Sequence, residues 1–330
     1  MNPYVYMAVI VVLAWTYDLY NGMNDAANAI ATSVSTHALT ASQAIFLAWA
    51  FNIGGAFLTT RVAQTMGKGI VDPDSVDRAV WVAALIGAIV WSAFCTHRGI
   101  PISITHALVG GIMGAATVGY GIGVLKWSGL ETVFIWLVVS PLIGFAAAYV
   151  FMLAVYWLFR RMRPSRANRF FRYGQILSAS FMAYAHGAND TQNAMGIITA
   201  SLLASGFISR FRVPPWVIFG SAFFMGLGTA LGGWRVIRTL GMRMAKIEPP
   251  QGFSAETAAA GSIVLATLAG APISTTHVIS TAVMGVGATR RLSAVRWGIA
   301  RDIVLTWILT FPGSALGAAF AYLICRPLFG

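Results

Sequence analysis

The chain contains itself twice. Residues 21–29 read NGMNDAANA, and residues 186–194, 165 positions later, read HGANDTQNA. Residues 101–106 read PISITH, and residues 272–277, 171 positions later, read PISTTH. Between these pairs, Arg61, Thr65 and Gly67 return as Arg235, Thr239 and Gly241 at an offset of 174. Order and spacing are both kept. The chain therefore divides into two halves built on one plan, 1–160 and 173–330, joined by the basic stretch 161–172. Any fold must carry two copies of one unit and must place four polar motifs that lie inside apolar sequence.

That apolar sequence excludes a soluble globule. Of the 330 residues, 58% are hydrophobic and only 10% are charged, where a soluble domain carries about 25% charged residues. Lipid must cover most of the surface. Apolar runs recur along the whole length, so a removable signal peptide does not account for them, and the first run is read as mature protein. A hydrocarbon core of about 30 Å takes roughly 20 helical residues per crossing. Ten membrane segments are expected, at 3–36, 43–60, 79–97, 99–120, 131–159, 173–200, 215–234, 254–270, 272–288 and 302–325. The first and sixth are too long for one straight span and carry polar residues in the middle. The fourth and ninth are interrupted by Pro, Ser, Thr and His. All four are expected to be broken or re-entrant. Cys95 and Cys325 lie in apolar context and read as core residues, not as a disulfide or a metal pair.

Five segments per half is an odd number, so the second half should lie upside down relative to the first. The expected fold is an all-α integral membrane protein of two inverted-topology repeats, with broken helices meeting near the midplane. Loop charge agrees. The stretch 160–172 holds six arginines and no acid, and 235–246 and 290–301 add eight more basic residues. The 61–78 loop balances three bases with Asp72, Asp74 and Asp77. Placing the basic stretches in the cytoplasm puts both termini outside, with Arg210 and Arg212 as a mild violation. The net charge of +12 then faces anionic lipid and not nucleic acid.

The motifs have definite chemical capacities. On a helix, Asn24 and Asn28 share one face with Asp25 beside them, and Asn189, Asp190 and Asn193 repeat the set. A carboxylate in a membrane segment costs about 2.5–3.5 kcal/mol on insertion scales, and two at symmetric positions point to function. Such a carboxylate could coordinate Na⁺, carry a proton or accept from a protonated oxyanion. The alternative is interhelical glue. Pro101 and Pro272 suit a first helical turn. Ser103, Ile104 and Thr105, and Ser274, Thr275 and Thr276, would then present free N–H groups and hydroxyls at a partially positive helix end, a natural oxyanion cradle. The alternative is a packing kink.

Other residues read less sharply. His106 and His277 are more often helix linkers than proton carriers, and a proton or gating role is the second reading. Asp18, whose counterpart is Ala183, is an asymmetric coupling residue or a near-surface acid. Glu256 faces the cavity or simply starts a helix. Gly110, Gly111, Gly114, Gly285 and Gly287 read as close helix packing. No P-loop, dinucleotide turn, Cys/His metal spacing or nucleophile elbow occurs, so neither an enzyme nor a resident cofactor is expected.

The stretches NGMNDAANAIATSVSTHAL, HGANDTQNAMGIITASLL, GIPISITHALVGGIMGA and GAPISTTHVISTAVMGVGA resemble the paired signatures of the inorganic phosphate transporter family, in its compact bacterial form. The resemblance covers nearly the whole chain. It implies import of phosphate by Na⁺ or H⁺ symport across a bacterial plasma membrane, often as a homodimer, with arsenate as a competing substrate. It also implies an anion site that includes Asn28, Ser103, Thr105, Asn193, Ser274, Thr275 and Thr276, and coupling-ion positions at Asn24, Asp25, Asn189 and Asp190. Two departures stand out. Ile104 lacks the hydroxyl of its mate Thr275, and Asn193 stands where many compact bacterial members carry Lys. A sulfate permease of the same fold and a passive anion channel are the alternatives. A soluble cytoplasmic regulator could bind the basic loops.

Overall fold

The computed structural model describes residues 2–245 and 247–330, apart from the side chains of Met242 and Arg243. Among the described residues there are twelve α-helices and no strands beyond two isolated bridges. The first half holds α1 (Pro3–Ser35), α2 (Ala41–Gly55), α3 (Arg61–Lys68), α4 (Arg78–Arg98), α5 (Ile104–Tyr120) and α6 (Trp127–Leu158). The second holds α7 (Pro164–Ala204), α8 (Pro215–Leu231), α9 (Trp234–Arg238), α10 (Pro249–Leu268), α11 (Thr275–Ala288) and α12 (Trp297–Phe329). The two lists correspond helix by helix.

Ten of these helices lie on the ten expected segments. The other two correct the sequence reading: α3 and α9 fold stretches expected to be loops. A π turn, Thr239–Arg243, continues α9, and α8 and α9 bend by 63° at the Gly232–Gly233 break. The stretch 161–172, read as a linker, is helical from Pro164 onward. The expected breaks in the first and sixth segments are also absent, since α1 and α7 are continuous over 33 and 41 residues. Their polar motifs are set among Ala, a strong helix former, and the polar groups bond outward to other helices, so the helical backbone stays intact.

The fourth and ninth segments do start with a break. Helix α4 ends at Gly99 (φ 73°), whose N–H bonds Thr96 O at 3.1 Å, and Ile100 N bonds Cys95 O at 2.9 Å. Helix α10 ends at Gly270 (φ 76°) with the matching pair, Gly270 N to Thr267 O and Ala271 N to Ala266 O, both 2.9 Å. Only glycine takes this left-handed conformation without strain. The chain then runs extended through Pro-Ile-Ser into α5 or α11.

Equivalent helices α1 and α7 pair antiparallel. Tyr6 OH bonds Ser201 Oγ at 3.2 Å at one end, and Thr36 Oγ1 bonds Gln175 Oε1 at 2.7 Å at the other. The repeated Arg and Thr of the short helices make reciprocal contacts across the halves. Arg61 Nη1 donates to Leu268 O at 2.6 Å and Thr65 Oγ1 to Gly270 O at 2.9 Å. In return Arg235 donates to His97 O, and Thr239 Oγ1 to Gly99 O at 2.9 Å. Each half thus caps the other half's turn. The last helices are exchanged as well: α6 packs on α11 and α12 on α5, with Gly110 and Gly114 against the backbone of Phe311 and Ala315.

Helices α1, α4, α6 and α12 are each long and apolar enough to cross a membrane. The outward side chains are apolar, among them Phe46, Leu142, Phe219, Leu265 and Leu316, as a surface facing lipid requires. Cys95 and Cys325 are buried and unbridged.

Candidate functional site

The middle of the α1–α7 pair brings together Asp25, Asp190 and His186. His186 Nε2 lies 3.3 Å from Asp190 Oδ2 and 3.8 Å from Asp25 Oδ2. All three residues are buried, and their ligand atoms lie within 4.8 Å of one another, close enough to share one ion. The ring is fixed from behind, since His186 Nδ1 stands 2.8 Å from Asn52 Oδ1 on α2, while Asn52 Nδ2 donates to Thr229 Oγ1 on α8 at 3.1 Å. Thr229 Oγ1 donates to Met225 O at 3.1 Å and so accepts from the amide, which leaves Asn52 Oδ1 as the acceptor. Nδ1 must carry the proton, and Nε2 faces the carboxylates.

The start of α11 meets this centre. Thr276 Oγ1 donates to Asp25 Oδ1 at 2.8 Å, and Thr275 Oγ1 to Asp190 Oδ2 at 2.7 Å. Asn28 Nδ2 reaches Thr276 Oγ1 at 3.1 Å and Thr275 Oγ1 at 3.3 Å. On the other side Asn193 Nδ2 donates to Thr105 Oγ1 of α5 at 2.8 Å. The first N–H groups of α5 and α11 have no intrahelical acceptor. Helix starts, two carboxylates and amides from both halves therefore converge at one buried point, where partial positive charge and acceptors lie side by side.

Ile104 makes this centre lopsided. Each threonine of α11 holds one aspartate, whereas α5 offers Thr105 alone. Tyr17 OH instead bonds the carbonyl of Ile104 at 3.1 Å.

Several expected site residues occupy other posts. Pro101 and Pro272 precede their helices; Ser103 and Ser274 are the N-caps, accepting from His106 N at 3.3 Å and His277 N at 3.2 Å. Their hydroxyl oxygens are directed at their own helices, as N-caps require. Asn24 pins the first turn: its amide donates to Thr96 Oγ1 (2.9 Å) and Ile100 O (3.2 Å) and accepts from Ile102 N (3.3 Å). Asn189 holds the second turn through Thr267 Oγ1 at 2.8 Å, in either amide orientation.

His106 and His277 meet each other, with ring centroids 5.0 Å apart, and stack on Phe311 and Trp307 of α12, away from the carboxylates. Glu256 does not start a helix; α10 begins at Pro249. Its carboxylate is buried and accepts from Thr32, Ser178 and Gln175. Asp18 is not near the surface either, but wholly buried.

His186 is the residue that sequence reasoning passed over. Its mate is Asn21, so twofold logic gave it no weight. The available signal was its place one helical turn before Asp190, on the same face.

The phosphate transporter family model matches residues 21–318. The chain belongs to the phosphate transporter family. It is 45% identical over 315 residues to a probable low-affinity inorganic phosphate transporter of Rhizobium meliloti (strain 1021), covering 95% of this chain and 94% of that one. It is 42% identical over 324 residues to the protein of the same description from Bacillus subtilis (strain 168), covering 97% of each. Among solved structures, one described as the sodium-dependent phosphate transporter superposes with a TM-score of 0.89 at 26% identity, over 98% of this chain and all of that one. The relatives are transporters and not enzymes, and this chain is accordingly a membrane protein and not an enzyme.

Proposed function

We propose that this chain imports inorganic phosphate across the plasma membrane by cation symport, through two inverted-topology repeats, near 1–160 and 173–330, that meet at the Asp25–Asp190 centre. The antiparallel run of α1 against α7 supports inversion, because equivalent helices related by a twofold axis in the membrane plane must point in opposite directions. One observation carries the functional reading: Asp25 and Asp190, from the two halves, lie together against the N-terminus of α11. Helix-start N–H groups and the amides of Asn28 and Asn193 suit the oxygens of a tetrahedral anion. An anion placed beside two carboxylates is repelled unless cations accompany it, and that requirement couples the two fluxes. Every residue of the centre is buried, which suits one stage of an alternating-access cycle.

Purified protein in liposomes supplies the test. Labelled phosphate or sulfate would be offered with Na⁺ and H⁺ gradients imposed separately. Phosphate accumulation against its own gradient, lost in Asp25→Asn and in Asp190→Asn, is the expected result. Flux of equal size without any cation gradient, or uptake of sulfate in place of phosphate, would overturn it.

A further inference from the structure

We propose that Asp18, Asn21 and Ser221 form a separate site for a monovalent cation, about one to two helical turns from Asp25 along α1, toward the Tyr6–Ser201 end. The proposal rests on reading the chain as cation-coupled, and names a place for a coupling ion outside the aspartate centre.

The observations are of unused polar atoms. Asp18, Asn21 and Ser221 are all fully buried. Neither amide atom of Asn21 has a hydrogen-bond partner, and the carboxylate of Asp18 has none but the hydroxyl of Ser221. Asp18 and Asn21 are one turn apart on α1 and share a face. The Ser221 side chain on α8 lies beside Asp18. The helices are in backbone contact just beyond, where Gly22 meets Met225 and Thr229, and Gly228 meets Leu19. Buried polar groups are almost always paired, and an ionised carboxylate without a partner is among the most costly groups to bury. A buried carboxylate held by a single hydroxyl, with an unpartnered amide one turn away on the same helix, points to a further ligand.

The chemistry selects that occupant. Asp18, Asn21 and Ser221 offer only oxygen ligands, a hard-cation set. One carboxylate balances one positive charge, which favours Na⁺ over a divalent ion. Asn21 is the mate of His186, whose ring stands among Asn52, Asp25 and Asp190, and Asp18 is the mate of Ala183. Where α7 carries a ring among its partners, α1 carries a carboxylate and an amide. A mobile cation fills that difference.

The experiment measures Na⁺ binding to the full-length protein in lipid nanodiscs without phosphate, by ²²Na⁺ binding and by the shift in unfolding temperature with Na⁺ against choline. The expected result is Na⁺ stabilisation of the wild type, with the apparent Kd raised at least tenfold in Asp18→Asn and several-fold in the milder Ser221→Ala. In Asp25→Asn the Asp18-dependent binding should remain. Wild-type Na⁺ affinity in both Asp18→Asn and Ser221→Ala would overturn the proposal. So would a wild type that responds to acid and not to Na⁺, which would assign a proton to Asp18 instead. Because phosphate is absent, this readout stands apart from the liposome assay: uptake could fail while Na⁺ binding persists, or the reverse.

Discussion

Thr276 of α11 donates to Asp25 of α1 at 2.8 Å, joining the last quarter of the chain to its first helix across 251 residues. Its neighbour Thr275 does the same for Asp190. A hydrogen bond to a charged group contributes about 1.5–3 kcal/mol, and each 1.4 kcal/mol is about tenfold in an equilibrium constant. Thr275→Val and Thr276→Val should each weaken phosphate uptake by roughly one to two orders of magnitude in kcat/KM. Ile104→Val, at the mate of Thr275, should change it by less than about threefold, because no hydroxyl is lost there. Initial-rate uptake in proteoliposomes checks the contrast.

Asn52 should matter through His186. Asn52→Leu removes the acceptor that holds Nδ1, frees the ring to turn and leaves the hydroxyl of Thr229 only its bond to Met225 O. Transport should fall about tenfold or more, while Asn52→Asp, which keeps an acceptor for Nδ1, should retain more activity than Asn52→Leu. Equal loss in both variants would show that Asn52 serves packing alone.

The two asparagines of the first motif should separate by assay. Asn24 makes three bonds that shape the turn before α5. Asn24→Leu should lower stability by about 2–4 kcal/mol, since it leaves buried partners unpaired, and thermal unfolding in detergent should show it. Asn28→Leu touches only the two threonines. It should unfold near the wild-type temperature yet transport poorly.

Arg61 and Arg235 cap the opposite half's turn. Each is partly solvent-exposed, so Arg61→Ala and Arg235→Ala should each cost about 1 kcal/mol of stability. Their combination should be close to additive because the two caps lie at separate turns. Differential scanning of the singles and the double variant reads this directly.

Asp72 outside the membrane is paired with Lys126 at 3.2 Å. The lysine and the N–H of Asp74 hold its carboxyl below the usual carboxylate range. A depressed folded-state pKa contributes stability above the unfolded value, and that contribution is lost as the pH falls through the folded value. The pair is largely exposed, with side-chain exposures of 39% and 53%, so Asp72→Asn should cost under about 1 kcal/mol at neutral pH. Wild type and variant should converge as the pH falls below the usual carboxylate range and also in high salt. Paired melts at neutral and acid pH test the sign.

Much of the fold was legible in advance. The two copies of NDxxN and of PISxTH located the helices that matter, and the ten apolar runs are ten of the twelve helices. The boundaries failed where tertiary contacts decide the outcome. Residues 61–68 read as a loop because they are short and polar, yet they form α3 because Arg61 and Thr65 find carbonyls at the end of α10. Residues 164–172 read as a linker because they are basic, although nothing in Arg-rich sequence prevents a helix. Pro101 and Pro272 were read as helix starts, but the left-handed glycines just before them keep the chain extended, and Ser103 and Ser274 take the cap.

The sequence by itself determined that this chain is a lipid-embedded, twice-repeated helical bundle with four polar motifs, because composition and internal spacing are local properties of the chain. Only the tertiary structure decided how each polar atom is used. Asn24 went to a turn, Asn28 to the threonines, and Asp18 to a buried place beside Ser221, although the residue types alone allowed any of these fates. His186 shows the reason most plainly. Its weight comes from Asp25, Asn52 and Asp190, three side chains on three helices, and only packing brings those helices to one point.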